Sequence, residues 1–253
     1  MSKLARSRKP RLRQETLCEL VFRPLAHVVV LALAPLRVPP PAVVLAGTAC
    51  GIGGAVELAR GHLVVAALLV QLKTVLDNAD GQLARLTGRI TVFGRYLDAE
   101  CDLLVNAALF VAVGWYAQRP LAAAVGFAAL TAVLSINFNV ERLARGVPTS
   151  SNSSVLGRVY SVLYGWQDRA VEQFADRRIR GGDAGRYHDT FTVSVLANLG
   201  MSTQLAVFGT LVALGRPLVF VWLLLAQLVL IVMLFARRET LMRSNREVVL
   251  EHR

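Results

Sequence analysis

The chain has 253 residues, of which 55% are hydrophobic and 18% charged, and its mean hydropathy is +0.50. Soluble domains average about 45–50% apolar and about 25% charged residues, so this composition indicates a membrane protein and excludes a disordered chain. The three cysteines, Cys18, Cys50 and Cys101, match no disulfide or zinc framework. The net charge of +11 leaves nucleic acid or a membrane as partner, and the placement of the basic residues decides between them.

The first predicted element is an amphipathic helix within residues 14–37 that lies along the membrane surface. Residues 1–13 are basic, but no apolar core with a small-residue cleavage site follows, so we do not expect a signal peptide. Pro24 is expected to kink or divide this helix. The prolines at 39–41 are expected to end it and to start the first membrane span.

Six apolar segments follow, each near the roughly 20 residues that a helix needs to cross the hydrocarbon core. In chain order they cover residues 41–58, 62–76, 103–118 (beginning nearer 94), 121–140, 191–214 and 217–236. The sequence therefore predicts an all-α integral membrane protein, a six-transmembrane-helix bundle with an N-terminal amphipathic juxtamembrane helix. We expect one membrane domain over 1–253, divided into a cytoplasmic or juxtamembrane part (1–38), the bundle (39–240) and a cytoplasmic tail (241–253).

The basic residues are distributed to one side of this bundle. If both termini are cytoplasmic, the loops on the opposite side hold three of the 28 basic residues, Arg60, Arg119 and Arg216. That bias predicts a multi-pass protein of the cytoplasmic membrane with both termini inside. It also explains the positive charge by topology and by attraction to anionic lipids, so no nucleic-acid partner is expected.

Residues 77–102 cannot be ordinary membrane-spanning sequence, because four carboxylates stand close to apolar spans, where each would be costly. The four are Asp77, Asp80, Asp98 and Asp102. The first two share one helix face and the last two share another, which Gly94 continues. A short turn at residues 87–89 would bring the two pairs together.

Four converging carboxylates cannot all stay ionised without cations, and their oxygen atoms suit magnesium or manganese. Two such ions about 3.5–4 Å apart would clamp a phosphate ester during displacement. Gly81 and Ala84 remove bulk where a phosphate-bearing ligand would approach, and Arg85 offers a planar cation to its oxygens. Lys73, one turn before Asp77, would either contact a phosphate or balance charge.

Polar residues cluster where the fourth span should reach the cytoplasm: Asn137, Asn139, Glu141, Arg142 and Arg145. They form either an ordinary membrane–water boundary or an acceptor pocket whose arginines, Arg142 and Arg145, bind a phosphate. The polar stretch 146–187 is expected to contain a loop and an amphipathic helix resting on the membrane, with a lid over the site as the alternative.

The pattern in this segment is Asp77-x2-Asp80-Gly81-x2-Ala84-Arg85-x8-Gly94-x3-Asp98-x3-Asp102. At every position it resembles the signature of the CDP-alcohol phosphotransferase (CDP-alcohol phosphatidyltransferase) family. The resemblance implies a magnesium-dependent membrane homodimer, with the site at the cytoplasmic edge, that moves a substituted phosphate from a CDP-linked donor to an alcohol and releases CMP.

The same resemblance implies roles for individual residues. The four aspartates would hold two Mg²⁺ ions, with Mn²⁺ as the alternative. Asp102 would also be the general base on the acceptor hydroxyl, and it is the last acid on its face. Asp77, Gly81, Ala84, Arg85 and Gly94 would line the CDP pocket.

Two other functions remain open at this point. An intramembrane prenyltransferase also uses aspartates with magnesium-bound pyrophosphate, but its motifs lack the glycines, alanine and arginine found here. A cation transporter could use the acids, although they occur in one hairpin with no counterpart in a second half. The acceptor is open among inositol phosphate, glycerol phosphate, serine and other alcohols, and a lipid donor, CDP-diacylglycerol, is expected over a soluble CDP-alcohol.

Overall fold

The computed structural model describes residues 15–144 and 190–251, with side chains for 15–141 and 191–240. Within these ranges the chain is helical and has no strand, which confirms the predicted all-α class. In chain order the helices are α1 (Arg23–Leu33), α2 (Pro40–Ala59), α3 (Leu63–Thr87), α4 (Val92–Tyr116), α5 (Pro120–Ala144), α6 (Thr190–Ala197), α7 (Met201–Ala213) and α8 (Pro217–Glu251), and a π-helical turn, Cys18–Phe22, precedes α1.

Proline and glycine set the main helix boundaries. Proline is the first residue of α2, α5 and α8, where its missing N–H is not needed and its φ angle already suits a helix. The turn predicted at residues 87–89 is confirmed. Gly88 ends α3 with φ +68°, and the Arg89 N–H donates to the Ala84 carbonyl at 2.9 Å. The chain can therefore reverse at this point and begin α4 four residues later.

The N-terminal helix changes type beside Pro24 and ends earlier than predicted. The π-helical turn gives way to α1 at Arg23, whose N–H donates to the Cys18 carbonyl, so Pro24 lies in the first turn of α1, where its missing N–H is tolerated. The helix ends at Leu33 rather than at the prolines of 39–41, and Pro39 is extended (φ −71°, ψ 136°). One face of α1 is buried against α3, and the other exposes apolar side chains such as Leu25 and Val28.

Within the part of the chain that the structure describes, three helices are long and apolar enough to cross a membrane: Pro40–Ala59, Pro120–Glu141 and Pro217–Thr240. The bent pair formed by α6 and α7 makes a fourth if it is one span. Helices α3 and α4 have 25 residues each, the length of a span, but they carry the acidic motif. The count of six spans stays a prediction.

The segment 191–214 is not the single straight helix predicted from its hydropathy. It breaks between Ala197 and Met201, and the two halves meet at 49°. Glu15, 2% exposed, accepts a hydrogen bond from the Thr203 N–H, and the Thr16 N–H donates to Asn198 Oδ1 at 2.9 Å. A carboxylate at the start of α7 satisfies N–H groups that have no partner within the helix and interacts favourably with its dipole.

Helix α2 packs between the two helices that carry the acids. It contacts both α3 and α4 extensively, whereas the backbones of α3 and α4 hardly approach each other beyond their connecting turn. The main apolar core lies around the ring cluster of Phe110, Phe208 and Phe220, with centroid distances of 5.2 to 6.4 Å. This core fixes α4, α7 and α8 and leaves the acidic ends of α3 and α4 facing one another.

Candidate metal centre

Three of the four aspartates converge at one point between α3 and α4. Asp77, Asp98 and Asp102 each offer one carboxylate oxygen, and these oxygens all lie within 4.8 Å of one another. The spacing of four residues places Asp98 and Asp102 on one face of α4. Because the chain reverses at Gly88, that face meets Asp77 of α3.

Asp80 lies beside this triple rather than within it. Its side chain is 6% exposed, and its Oδ2 atom is buried without a hydrogen-bond partner among the described residues. A buried carboxylate oxygen without a partner is costly unless a cation or a donor reaches it. The orphaned oxygen and the all-oxygen set of donors fit a hard divalent cation such as Mg²⁺ or Mn²⁺.

Lys73 is buried at the inner side of the acids. It is 2% exposed and forms ion pairs with Asp77, one turn along α3, and with Asp102 on α4. Of the two roles left open by the sequence, this geometry favours charge balance, because the ammonium already faces two carboxylates and has no path to a phosphate outside.

Two glycines of α2 allow the helices to approach at this point. A Cβ atom on Gly47 would lie 3.2 Å from Asp77 Oδ1, and one on Gly51 would lie 2.5 Å from Val105 Cγ1 and 3.3 Å from Lys73 Cγ. The contact of these glycines with the acidic site was not predicted from the sequence. Their spacing of four residues in the first span, which puts both on one helix face, is the signal that could have indicated it.

The residues expected to line a nucleotide pocket lie at the C-terminal end of α3 and at the start of α4. Gly81, Ala84 and Arg85 are partly exposed in the last turns of α3, and the Arg85 guanidinium lies over Gly81, 3.2 Å from where a Cβ atom would stand. Gly94 lies in the first turn of α4, and its N–H donates to the Thr91 hydroxyl at 3.0 Å. The close helix approach at the acids is made by α2.

Asn78, between the two acids of α3, is a further residue that sequence reasoning missed. Its Nδ2 donates to Ser202 Oγ at 3.1 Å and its Oδ1 accepts from Cys18 Sγ at 3.0 Å. These contacts join α3 to α7 and to the N-terminal turn. An amide beside the apolar part of α3, able to hydrogen-bond to a neighbouring helix, was the available signal.

The proposed acceptor residues are only partly described. The Arg142 side chain, Arg145 and the stretch 146–187 lie outside the described residues. A cavity of about 200 Å³ lies between α5, α6 and α7, and Asn137, Glu141 and Met201 are among its lining residues. Met201 also contacts Asn106, one turn beyond Asp102.

Comparison with known proteins identifies relatives for this architecture. The family model described as CDP-alcohol phosphatidyltransferase matches residues 25–164, more than half of the chain and all of the acidic motif. The phosphatidylinositol phosphate synthase of Corynebacterium glutamicum is 35% identical over 99 residues, which are 39% of this chain and 43% of that protein. The synthase of the same name from Mycolicibacterium smegmatis is 42% identical over 79 residues, 31% of this chain and 36% of that protein.

Solved structures give a weaker likeness. The phosphatidylinositol phosphate synthase of Mycobacterium tuberculosis with CDP-DAG bound is 24% identical, with a TM-score of 0.40 over 80% of this chain and 94% of that one. The matches to these two curated relatives span about two fifths of their length.

Proposed function

The chain belongs to the CDP-alcohol phosphatidyltransferase family, and we propose that it transfers a phosphatidyl group from CDP-diacylglycerol to the hydroxyl of an alcohol, with release of CMP. The observation that carries this proposal is the convergence of Asp77, Asp98 and Asp102 from two helices. Those acids belong to a segment that matches the family signature at every position.

Different residues of the chain are proposed to carry out different steps of this reaction. Asp102 takes the proton of the acceptor hydroxyl, whose oxygen then forms a bond to the phosphorus that carries the diacylglycerol. The bond from that phosphorus to the CMP oxygen breaks, and CMP leaves. Gly81 and Ala84 leave room for the nucleotide, and Arg85 binds its phosphate oxygens as a fixed cation.

Asp77, Asp80, Asp98 and Asp102 would hold two divalent cations, Mg²⁺ or Mn²⁺. When bound there, these cations supply positive charge to the diphosphate of the donor and make CMP a better leaving group. The partly buried position between α3 and α4 strengthens that electrostatic effect compared with bulk water.

We propose that α3 and α4 complete a bundle of six spans, with their acidic ends at the cytoplasmic edge. Each has the length of a span, and its apolar part lies away from the motif. The N-terminal helix, whose outer face is apolar, lies at the membrane surface beside α3. Family resemblance supports a homodimer of the single domain 1–253.

The acceptor is proposed from the relatives. Two curated relatives are named phosphatidylinositol phosphate synthases, so inositol phosphate is the first acceptor to test. Arg142 and Arg145, near the end of α5, are proposed to bind its phosphate.

The direct test is CMP release by the purified full chain. We expect CMP to form when CDP-diacylglycerol, Mg²⁺ and the correct acceptor from a panel of inositol phosphate, glycerol phosphate and serine are present. Chelation with excess EDTA should abolish the reaction, and added Mg²⁺ or Mn²⁺ should restore it. Full CMP release in EDTA would contradict the metal mechanism, and no release with any acceptor would contradict the proposed activity.

Topology gives a second, independent test. Reporter fusions at residue 1 and residue 253 should both report the cytoplasmic side. Basic residues concentrate on the cytoplasmic side of membrane proteins, and this orientation leaves three of the 28 on the opposite side. A third fusion, in the turn between α2 and α3, should report the opposite side. Termini on different sides would mean that the number of spans is odd.

A further inference from the structure

We propose that Lys73 is a positioning residue that acts as a built-in counter-cation of the acidic site. Its ammonium holds Asp77 and Asp102 together and competes with divalent metal for the same carboxylates. The inference rests on the proposed function, because it concerns the same acids, but it assigns Lys73 a role apart from the donor and the acceptor.

The position of the side chain supports this role. Lys73 is 2% exposed, and its ammonium forms ion pairs with both Asp77 and Asp102. A buried lysine is costly unless it is paired, and three N–H donors allow one ammonium to serve two carboxylates. Its aliphatic part passes close to Gly51 of α2, where a Cβ atom would lie 3.3 Å from Lys73 Cγ, so the absence of a side chain at Gly51 leaves room for the lysine.

The packing of the helices shows why such a cation matters here. Asp77 is on α3 and Asp102 on α4, and the backbones of these helices hardly approach each other. Helix α2 contacts both, so it sets their separation, while the ammonium of Lys73 provides attraction between their acids. Without a positive charge at this point, the acids of the two helices would repel one another.

The residue type is also informative. Apart from Lys3 and Lys9 near the N-terminus, Lys73 is the one lysine of the sequence, and every other basic residue is an arginine. An ammonium is a compact point charge, closer to a metal ion than the planar guanidinium is. It therefore fits beside Gly51 and can be outcompeted by a divalent ion at the same carboxylates.

The test compares the full chain with the variant Lys73→Met, which keeps the length of the side chain and removes its charge. Mn²⁺ binding is measured by calorimetry, and the thermal midpoint is measured in EDTA and in Mn²⁺. We expect Mn²⁺ to bind about tenfold more tightly to the variant, because the competing charge is gone. We also expect a midpoint in EDTA lowered by about 4 °C or more, since the carboxylates then lack a cation.

The matched control is Arg60→Met, which also removes one positive charge. Arg60 is exposed and pairs with Glu57 at the end of α2 remote from the acids, so Mn²⁺ affinity should be unchanged. The double variant K73M/D102N restores the charge balance of the buried pair and should recover part of the midpoint lost in EDTA. A purely structural role for Lys73 would weaken Mn²⁺ binding or leave it unchanged.

The outcomes separate this inference from the proposed function. If the unaltered chain binds no Mn²⁺, the metal site itself is wrong. If the unaltered chain binds Mn²⁺ but Lys73→Met binds it equally or more weakly, the role of Lys73 is overturned. If Lys73→Met does not fold in either EDTA or Mn²⁺, the thermal midpoint of K73M/D102N in EDTA is the test. Failure of this double variant to fold would also overturn the proposal.

Discussion

Asp102→Asn is expected to bind the CDP-linked donor in Mg²⁺ while losing about 10²- to 10⁴-fold in transfer, the usual contribution of a general base. The substitution keeps the size and hydrogen bonding of the side chain but removes the basic carboxylate. Asp77→Asn should weaken donor binding as well as transfer, because we propose that Asp77 is a primary metal ligand. Calorimetry of donor binding, run beside CMP release, measures both effects.

The chain offers a matched control for these substitutions. Glu100 lies on α4 between Asp98 and Asp102, but it does not belong to the group of converging acids. Glu100→Gln makes the same change of charge on the same helix and should leave transfer close to that of the unaltered chain. Near-normal transfer by Asp102→Asn would show that another carboxylate or a water takes the proton.

Gly51→Ala is expected to cost about 1–3 kcal/mol of stability, the range for inserting an extra carbon into a well-packed core. Its Cβ atom would lie 2.5 Å from Val105 Cγ1 and 3.3 Å from Lys73 Cγ, so either these side chains or the backbones of α2, α3 and α4 must shift. A shift of about 1 Å in catalytic groups can lower activity about 10²-fold. Thermal unfolding and CMP release in Mg²⁺ measure the two effects.

Gly53→Ala is the control, because it makes the same substitution two residues away on the same helix. Its Cβ atom would meet Leu69 Cδ1 at 3.6 Å, an ordinary van der Waals contact, so stability and transfer should be unchanged or slightly improved. Val105→Ala in the Gly51→Ala background removes both methyl groups that the new Cβ atom would contact, so it should restore part of the lost stability. Full activity of Gly51→Ala alone would contradict the tight packing of α2.

The sequence predicted the part of the fold that depends on local chemistry. Helices α2, α5 and α8 begin at prolines, and the turn after α3 needs a residue with positive φ, which Gly88 provides. The convergence of Asp77 with Asp98 and Asp102 was predicted from two helical spacings and one short turn, although Asp80, which was expected to join them, lies beside the three. Each of these signals lies within a few neighbouring residues of the sequence.

The features that were not predicted from the sequence depend on contacts between residues far apart in the chain. Hydropathy predicted one helix over 191–214, because an apolar run does not reveal that Glu15 binds the start of α7. The roles of Gly47 and Gly51 could not be predicted from the sequence, because they depend on the packing of α2 against both acidic helices. From its spacing in the sequence, Lys73 could either contact a phosphate or balance the charge of the acids. Its burial favours charge balance.

The contact between Glu15 and α7 has a consequence for the order in which the chain assembles. The carboxylate of Glu15 binds the Thr203 N–H, and the two residues are 188 positions apart. During synthesis the N-terminal segment emerges long before α7 exists, so Glu15 has to remain without this partner while α2 to α6 are made. Docking of the N-terminal turn on α7 is therefore a late event of biogenesis, and it completes only after the chain has been made as far as Thr203.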